Sequence, residues 1–292
     1  MDFKPLLSRV VGVIGIGNIG TSAAEGLHRA GYSVLIHDKY DKKQRGVSKP
    51  RLAWCDDPCD LARRCDVLLT CLPAPPDVRV LMEEQGVLNA LRRGSVWIAH
   101  ESTIPEESEY FGAQSNARGI RMLEAPLTGG IELIRQFKMT VSLGGPTSLV
   151  EEMKPLLENY TMCILHMGEV YGVASTVKII SNMLCAVHTV VSGEAMMIAK
   201  RAGVNHRSFF EAIRASAGNS FVFETEVPLA FNQTFDPHFT LKLHCKDLAI
   251  GDRIARKYGV PIEVFGLVEQ IYNRARLRCE HRVTVVNIEN VQ

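Results

Sequence analysis

Short apolar runs and longer mixed segments alternate through the first half of the chain. The runs VVGVIG (10–15), SVLIHD (33–38), DVLLTCL (66–72), SVWIAH (95–100) and RMLEAP (121–126) are bounded by Gly, Pro or charged residues. They read as strands buried on both faces. Between them NIGTSAAEGLHRAG, PDVRVLMEEQGVLNALRRG and PEESEYFGAQSNARG carry helical spacing and close on glycines. KMTVSLGG (138–145) and MCILHMG (162–168) extend the series. Strand and helix in alternation predict a doubly wound parallel sheet of the α/β class.

From Tyr171 the strand pattern stops. Helical spacing covers 170–201, 205–216, 240–258 and 261–279, with NQTFDPHF as the longest loop. The division predicts an α/β domain over 1–168 and an all-helical domain over 169–292, joined by a long helix. A length of 292 residues agrees with two domains, since single domains usually run to about 100–200.

Composition narrows the function classes. A formal net charge of +1 argues against nucleic acid or an anionic membrane surface as partner. The longest apolar stretch, Ile179 to Gly193, is interrupted by Ser181, Asn182, His188 and Ser192. It falls short of the roughly 20 residues of a membrane span. The opening MDFKPLLSRV has neither a signal-peptide nor a transit-peptide pattern, so a cytoplasmic location is expected. Eight cysteines in a chain of this length read as free thiols. Cys55, Cys59, Cys65 and Cys71 are spaced by four, six and six residues, which makes no CxxC pair, and no metal site is expected. The arginines at 274, 276, 278 and 282 read as a solvated helix face.

Two local patterns carry chemistry. GIGNIG (15–20) follows a strand and opens a helix, the setting in which GxGxxG binds a dinucleotide. Gly15 permits the turn, Gly17 lets the backbone approach a pyrophosphate, and Gly20 lets the helix pack closely; Asn18 and Ile19 open that helix, whose free N–H groups face the phosphates. The first domain is therefore expected to be of the Rossmann type. Asp38 closes the second strand about 20 residues on, where a carboxylate would bind the adenosine ribose and repel a 2′-phosphate. That favours NAD; Lys39, Lys42 and Lys43 keep NADP open.

The second pattern is GVASTVKIISN (172–182). Lys178 is the only charged residue between Glu169 and Glu194. An ammonium in apolar surroundings is costly or loses its proton more readily. Asn182 lies one helical turn on, on the same face. Lys178 is either a general acid/base in a cleft or a lysine that reaches solvent or a core ion pair.

These motifs, in this order, resemble the β-hydroxyacid dehydrogenase family. GVIGIGNIG is similar to its dinucleotide loop, CLPAPPDV (71–78) to its LP loop, and ESTIP (101–105) to its ST turn. EAPLTGG (124–130) resembles its substrate signature, GVASTVKIISN its catalytic-lysine motif, and KDL (246–248) its late lysine. The resemblance implies that Lys178 is the acid/base and that Asn182 bonds the substrate near the reacting carbon. It implies that Thr128, Gly129 and Gly130 hold the substrate carboxylate. Leu72 and Pro73 would flank the cofactor, Thr103 would sit by the nicotinamide ribose, and Lys246 would close over the cofactor. The expected reaction is hydride transfer between NAD(P) and a small hydroxyacid or semialdehyde. A homodimer or homotetramer is expected, with contacts through the helical domain.

The chain departs from the family at Glu124, Thr128 and Ser181, which usually are Asp, Ser and Asn. It also replaces a small-residue run after Gly130 with the bulky IELIRQFKMT. An imine reductase, or a scaffold that binds cofactor without turnover, are the alternatives to a dehydrogenase.

Overall fold

The computed structural model describes residues 5–40, 52–232 and 240–278. Lys42, Lys43, most of NQTFDPHF and Arg282 lie outside the described residues. The chain divides into two compact units, Met1–Lys178 and Ile179–Gln292. That division falls at 178/179, within the long helix, where the sequence suggested 168/169.

Among the described residues of the first unit, nine strands form one sheet: β1 (Val10–Ile14), β2 (Ser33–His37), β3 (Ala53–Trp54), β4 (Val67–Thr70), β5 (Val96–Ala99), β6 (Arg121–Glu124), β7 (Leu127–Thr128), β8 (Met139–Gly144) and β9 (Thr161–Gly168). The order is β3-β2-β1-β4-β5-β6-β8-β7, with β9 paired to β8. Strands β1 to β6 are parallel, in the order of a Rossmann sheet. Consecutive residues feed opposite faces: Val67, Leu69, Val96 and Ile98 join one core, and Leu68, Trp97 and Ala99 the other. The apolar runs are continuous because both faces are covered.

The sheet departs from the sequence expectation at β8, which runs antiparallel to β6 and β7. The chain between Glu124 and Met139 spends its length on β7 and on the five-residue helix Ile131–Arg135. With so little chain left for a crossover helix, it folds back as a hairpin. The single helix expected over PDVRVLMEEQGVLNALRRG is instead broken into Pro75–Arg79, a wider π turn at Val80–Glu84, and Val87–Ala90. Gly86, at φ +79°, ends the second piece, a backbone angle that glycine tolerates and helices do not.

In the second unit, the helices His206–Arg214, Phe221–Phe231, Leu241–Lys257 and Glu263–Arg278 follow the long helix Val173–Arg201. Phe221–Phe231 has no counterpart in the sequence reading; its apolar residues flank the polar Glu224, Thr225 and Glu226 without a clear helical period, and it contains Pro228. Ser220 caps it, accepting from the Phe223 N–H at 3.0 Å. The long helix is long and apolar enough to cross a membrane by length and composition. Its Ala174, Ile179, Met183, Ala186 and Val190 are buried, while Val177, Ile180, Leu184, Val191 and Ile198 are exposed. The described cysteines are free thiols.

Candidate active site

β1 ends at Ile14 and the chain turns at Gly15, with φ +93°. A Cβ at Gly15 would lie 2.5 Å from the Cys71 carbonyl oxygen, and one at Gly20 would lie 2.0 Å from that of Gly15. Gly17 differs: nothing stands within 4 Å of where its Cβ would be. It is the N-cap of the helix Asn18–Arg29 and has no side chain to cover the first N–H groups, so Asn18 and Ile19 open that helix into free space. A clear approach to the first turn of a twelve-residue helix suits a pyrophosphate.

Asp38 follows β2 and is buried. Its Oδ2 accepts the Ile16 N–H at 2.8 Å and its Oδ1 the Tyr40 N–H at 3.0 Å. The residue expected to read the ribose therefore also braces the phosphate loop. Lys39 turns to Asp77, 3.4 Å away at the surface.

Leu72 and Pro73 follow β4, and Thr103, buried, follows β5. Between these two loops lies Glu101, buried, whose Oε1 accepts the Thr70 hydroxyl at 2.9 Å while Thr70 accepts the Trp97 indole N–H at 2.9 Å. Burial pushes the Glu101 carboxyl up to about 8, against hydrogen bonds from Thr70 and from the backbone of Glu101, Leu72 and His100 that pull it down. Among the described residues its Oε2 has no hydrogen-bond partner.

Lys178 is half-buried in the long helix, and its Nζ donates to Thr128 Oγ1 at 3.4 Å. Thr128 ends β7, and Gly129 and Gly130 follow it. The fold thus joins two of the expected substrate motifs across 50 residues. Glu124, at the end of β6, supports them. Its Oε2 accepts the Gly172 N–H at 2.7 Å and its Oε1 the Ser175 N–H, so a buried carboxylate closes the first turn of the lysine helix. A Cβ on Gly144 would fall 2.5 Å from that Oε2, which fixes glycine there.

The bulky segment after Gly130 lies against the phosphate-loop helix. Ser22 Oγ donates to the Ile134 carbonyl at 2.8 Å, and the Arg29 guanidinium sits 4.4 Å from the Phe137 ring centre. Phe137 holds φ +58°, an angle costing a side-chain-bearing residue roughly 1–2 kcal/mol. A cavity of 420 Å³ opens between Gly17, Asn18 and Thr21 on one side and Ile134, Arg135 and Phe137 on the other. These residues border the phosphate loop.

In the second unit Asn182 Nδ2 donates to Asp247 Oδ2 at 2.6 Å, and Lys246 Nζ lies 3.1 Å from Asp247 Oδ1. Sequence reasoning had singled out Asn182 and Lys246 and passed over Asp247, Glu101 and the helix-closing role of Glu124. The one signal for them is an acid at the edge of an apolar run, which names no partner.

Residues 10–168 match the family described as the NAD binding domain of 6-phosphogluconate dehydrogenase. Residues 172–286 match the NAD-binding domain of NADP-dependent 3-hydroxyisobutyrate dehydrogenase. The chain belongs to the β-hydroxyacid dehydrogenase family. It is an NAD(P)-dependent oxidoreductase acting on CH–OH groups. It is 30% identical to an L-threonate dehydrogenase of Cupriavidus necator over 270 residues, 92% of this chain and 91% of that one. Mitochondrial 3-hydroxyisobutyrate dehydrogenase of Mus musculus is 26% identical over 277 residues, 92% and 82% of the two chains. In fold it is similar to a crystal structure of 3-hydroxyisobutyrate dehydrogenase from Salmonella typhimurium, with TM-score 0.87 at 24% identity over 98% of this chain and 100% of that one.

Proposed function

We propose that this family member interconverts a small β-hydroxyacid and its carbonyl form with NAD, and that Lys178 moves the hydroxyl proton. The observation that carries this reading is the 3.4 Å contact of Lys178 Nζ with Thr128 Oγ1, beside Gly129 and Gly130. It puts a proton-transfer group next to a turn whose bare N–H groups suit a carboxylate.

The cofactor would be held by Gly15, Gly17, Asn18, Ile19 and Gly20 at its phosphates, Asp38 at its adenosine ribose, Leu72, Pro73 and Thr103 towards the nicotinamide, and Lys246. When bound, the nicotinamide accepts a hydride in oxidation and donates one in reduction. In oxidation the Lys178 amine takes the hydroxyl proton of the substrate; in reduction the ammonium gives one to the developing alkoxide. Thr128, Gly129 and Gly130 hold the carboxylate at the other end of the substrate, and Asn182 meets the substrate near the reacting carbon. We place the enzyme in the cytoplasm as a homodimer or homotetramer.

The relatives suggest the first substrates to test. Oxidation of L-threonate and of 3-hydroxyisobutyrate, with NAD and NADP in parallel, should raise the reduced-nicotinamide absorbance for at least one acid. Cofactor binding with no turnover across a wider panel of hydroxyacids would contradict the proposal.

Asp38→Ala tests the cofactor assignment. Loss of hydrogen bonds to a charged group costs about 1.5–3 kcal/mol, so NAD affinity should fall roughly 10- to 100-fold. NADP affinity should fall less, because the loop brace is lost for both cofactors while the carboxylate that repels a 2′-phosphate is gone. An unchanged NAD-to-NADP ratio would remove Asp38 from the ribose site.

A further inference from the structure

Asp247 lies on the buried side of the helix Leu241–Lys257 and is 1% exposed. A carboxylate in such a place is costly unless it is paired. Its partners are specific: Oδ2 accepts from Asn182 Nδ2 at 2.6 Å, and Oδ1 lies 3.1 Å from Lys246 Nζ. The two helices approach closely enough for these short side chains to meet. One turn beyond Asp247, a Cβ on Gly251 would fall 2.3 Å from the sulfur of Met183, the neighbour of Asn182.

The chemistry of the pair is directional. A carboxamide has one end that donates and one that accepts, so by itself Asn182 could present either to a substrate. A carboxylate only accepts. Facing Asp247, Asn182 must turn its NH₂ inward, and its Oδ1 is the end left to present. An amide oxygen accepts a hydrogen bond from a hydroxyl and repels a carboxylate. We infer that Asp247 is a positioning residue that fixes the Asn182 carboxamide with its oxygen outward, so that this position selects the hydroxyl of the substrate.

The inference rests on Asn182 touching substrate, as proposed above, and the test separates the two. Four variants are compared with the wild-type enzyme: Asn182→Ala, Asp247→Leu, Asp247→Asn, and the double variant Asn182→Ala with Asp247→Leu. Turnover is followed with L-threonate or 3-hydroxyisobutyrate, whichever the wild type oxidises faster, and NADH affinity by fluorescence. Leu keeps the approximate shape of Asp and cannot accept. Asp247→Leu should lower kcat/KM about tenfold or more, the effect of losing one hydrogen bond to a charged group. In the Asn182→Ala background it should cost little further, because the side chain it orients is gone. Asp247→Asn retains an acceptor oxygen and should recover most of the loss. Losses that multiply in the double variant, or an Asp247→Asn as poor as Asp247→Leu, would overturn the inference while leaving Asn182 in its role. Full turnover by Asn182→Ala would overturn both. An effect on NADH affinity alone would route Asp247 through Lys246, and also overturn it.

Discussion

Glu101→Gln should stabilise the protein increasingly as pH rises, with almost no effect near pH 4 and up to about 5 kcal/mol at pH 8 and above. The sign follows from the buried carboxyl. Its folded value, about 8, lies above the ordinary 4.5, chiefly because burial penalises the charge. Below pH 4.5 both folded and unfolded chains carry the proton, and the shift has no consequence. Between 4.5 and 8 the unfolded chain has released it and the folded chain has not, so each pH unit costs the wild type about 1.4 kcal/mol of stability. Above 8 both are ionised and the full penalty remains. Gln keeps an acceptor for the Thr70 hydroxyl and cannot ionise. Thermal unfolding midpoints of the two proteins should therefore be close at acid pH and diverge towards pH 8. Parallel midpoints across that range would mean that Glu101 ionises normally in the folded protein.

Glu101 also shows where the sequence stops being readable. Strands β1, β2, β4, β5 and β6 were visible as runs of apolar residues, because burial on both faces leaves no polar alternation to confuse the pattern; β3, two residues long, shows no run and was missed. Gly15 and Gly20 were legible because a backbone carbonyl fills the place of a side chain at each. Lys178 stood out as the one charged residue between Glu169 and Glu194. What the sequence concealed are the partners. Thr70 reaches Glu101 across 31 residues, Gly172 and Ser175 reach Glu124 across about 50, and Asn182 reaches Asp247 across 65. Such pairs are set by how elements pack, which local spacing does not encode. The bulky residues after Gly130 are a further case: the fold lays Ile134 and Phe137 on the phosphate-loop helix, a neighbour that local spacing does not name. The antiparallel turn of β8 depended on how much chain β7 and a five-residue helix consume, and β7 is too short to show a period.

The second large effect concerns the proton. Lys178→Met keeps the length and apolar stem of the side chain and removes the amine that lies beside Thr128. General acid/base catalysis contributes about 10²–10⁴ in rate, so turnover should fall at least about 100-fold. Binding of NADH should change little, because the phosphate loop, Asp38 and the strand-end loops are untouched. Thr128 loses one hydrogen bond and remains held by β7.

The central claim is that Lys178 moves the substrate proton, and a single-turnover comparison tests it most directly. Wild type and Lys178→Met are saturated with NAD and mixed with excess hydroxyacid, and the first turnover is read at the reduced-nicotinamide absorbance. The account predicts a first turnover slowed at least about 100-fold, with NADH affinity nearly unchanged. A first turnover within a few-fold of wild type would contradict it and assign the proton to another group.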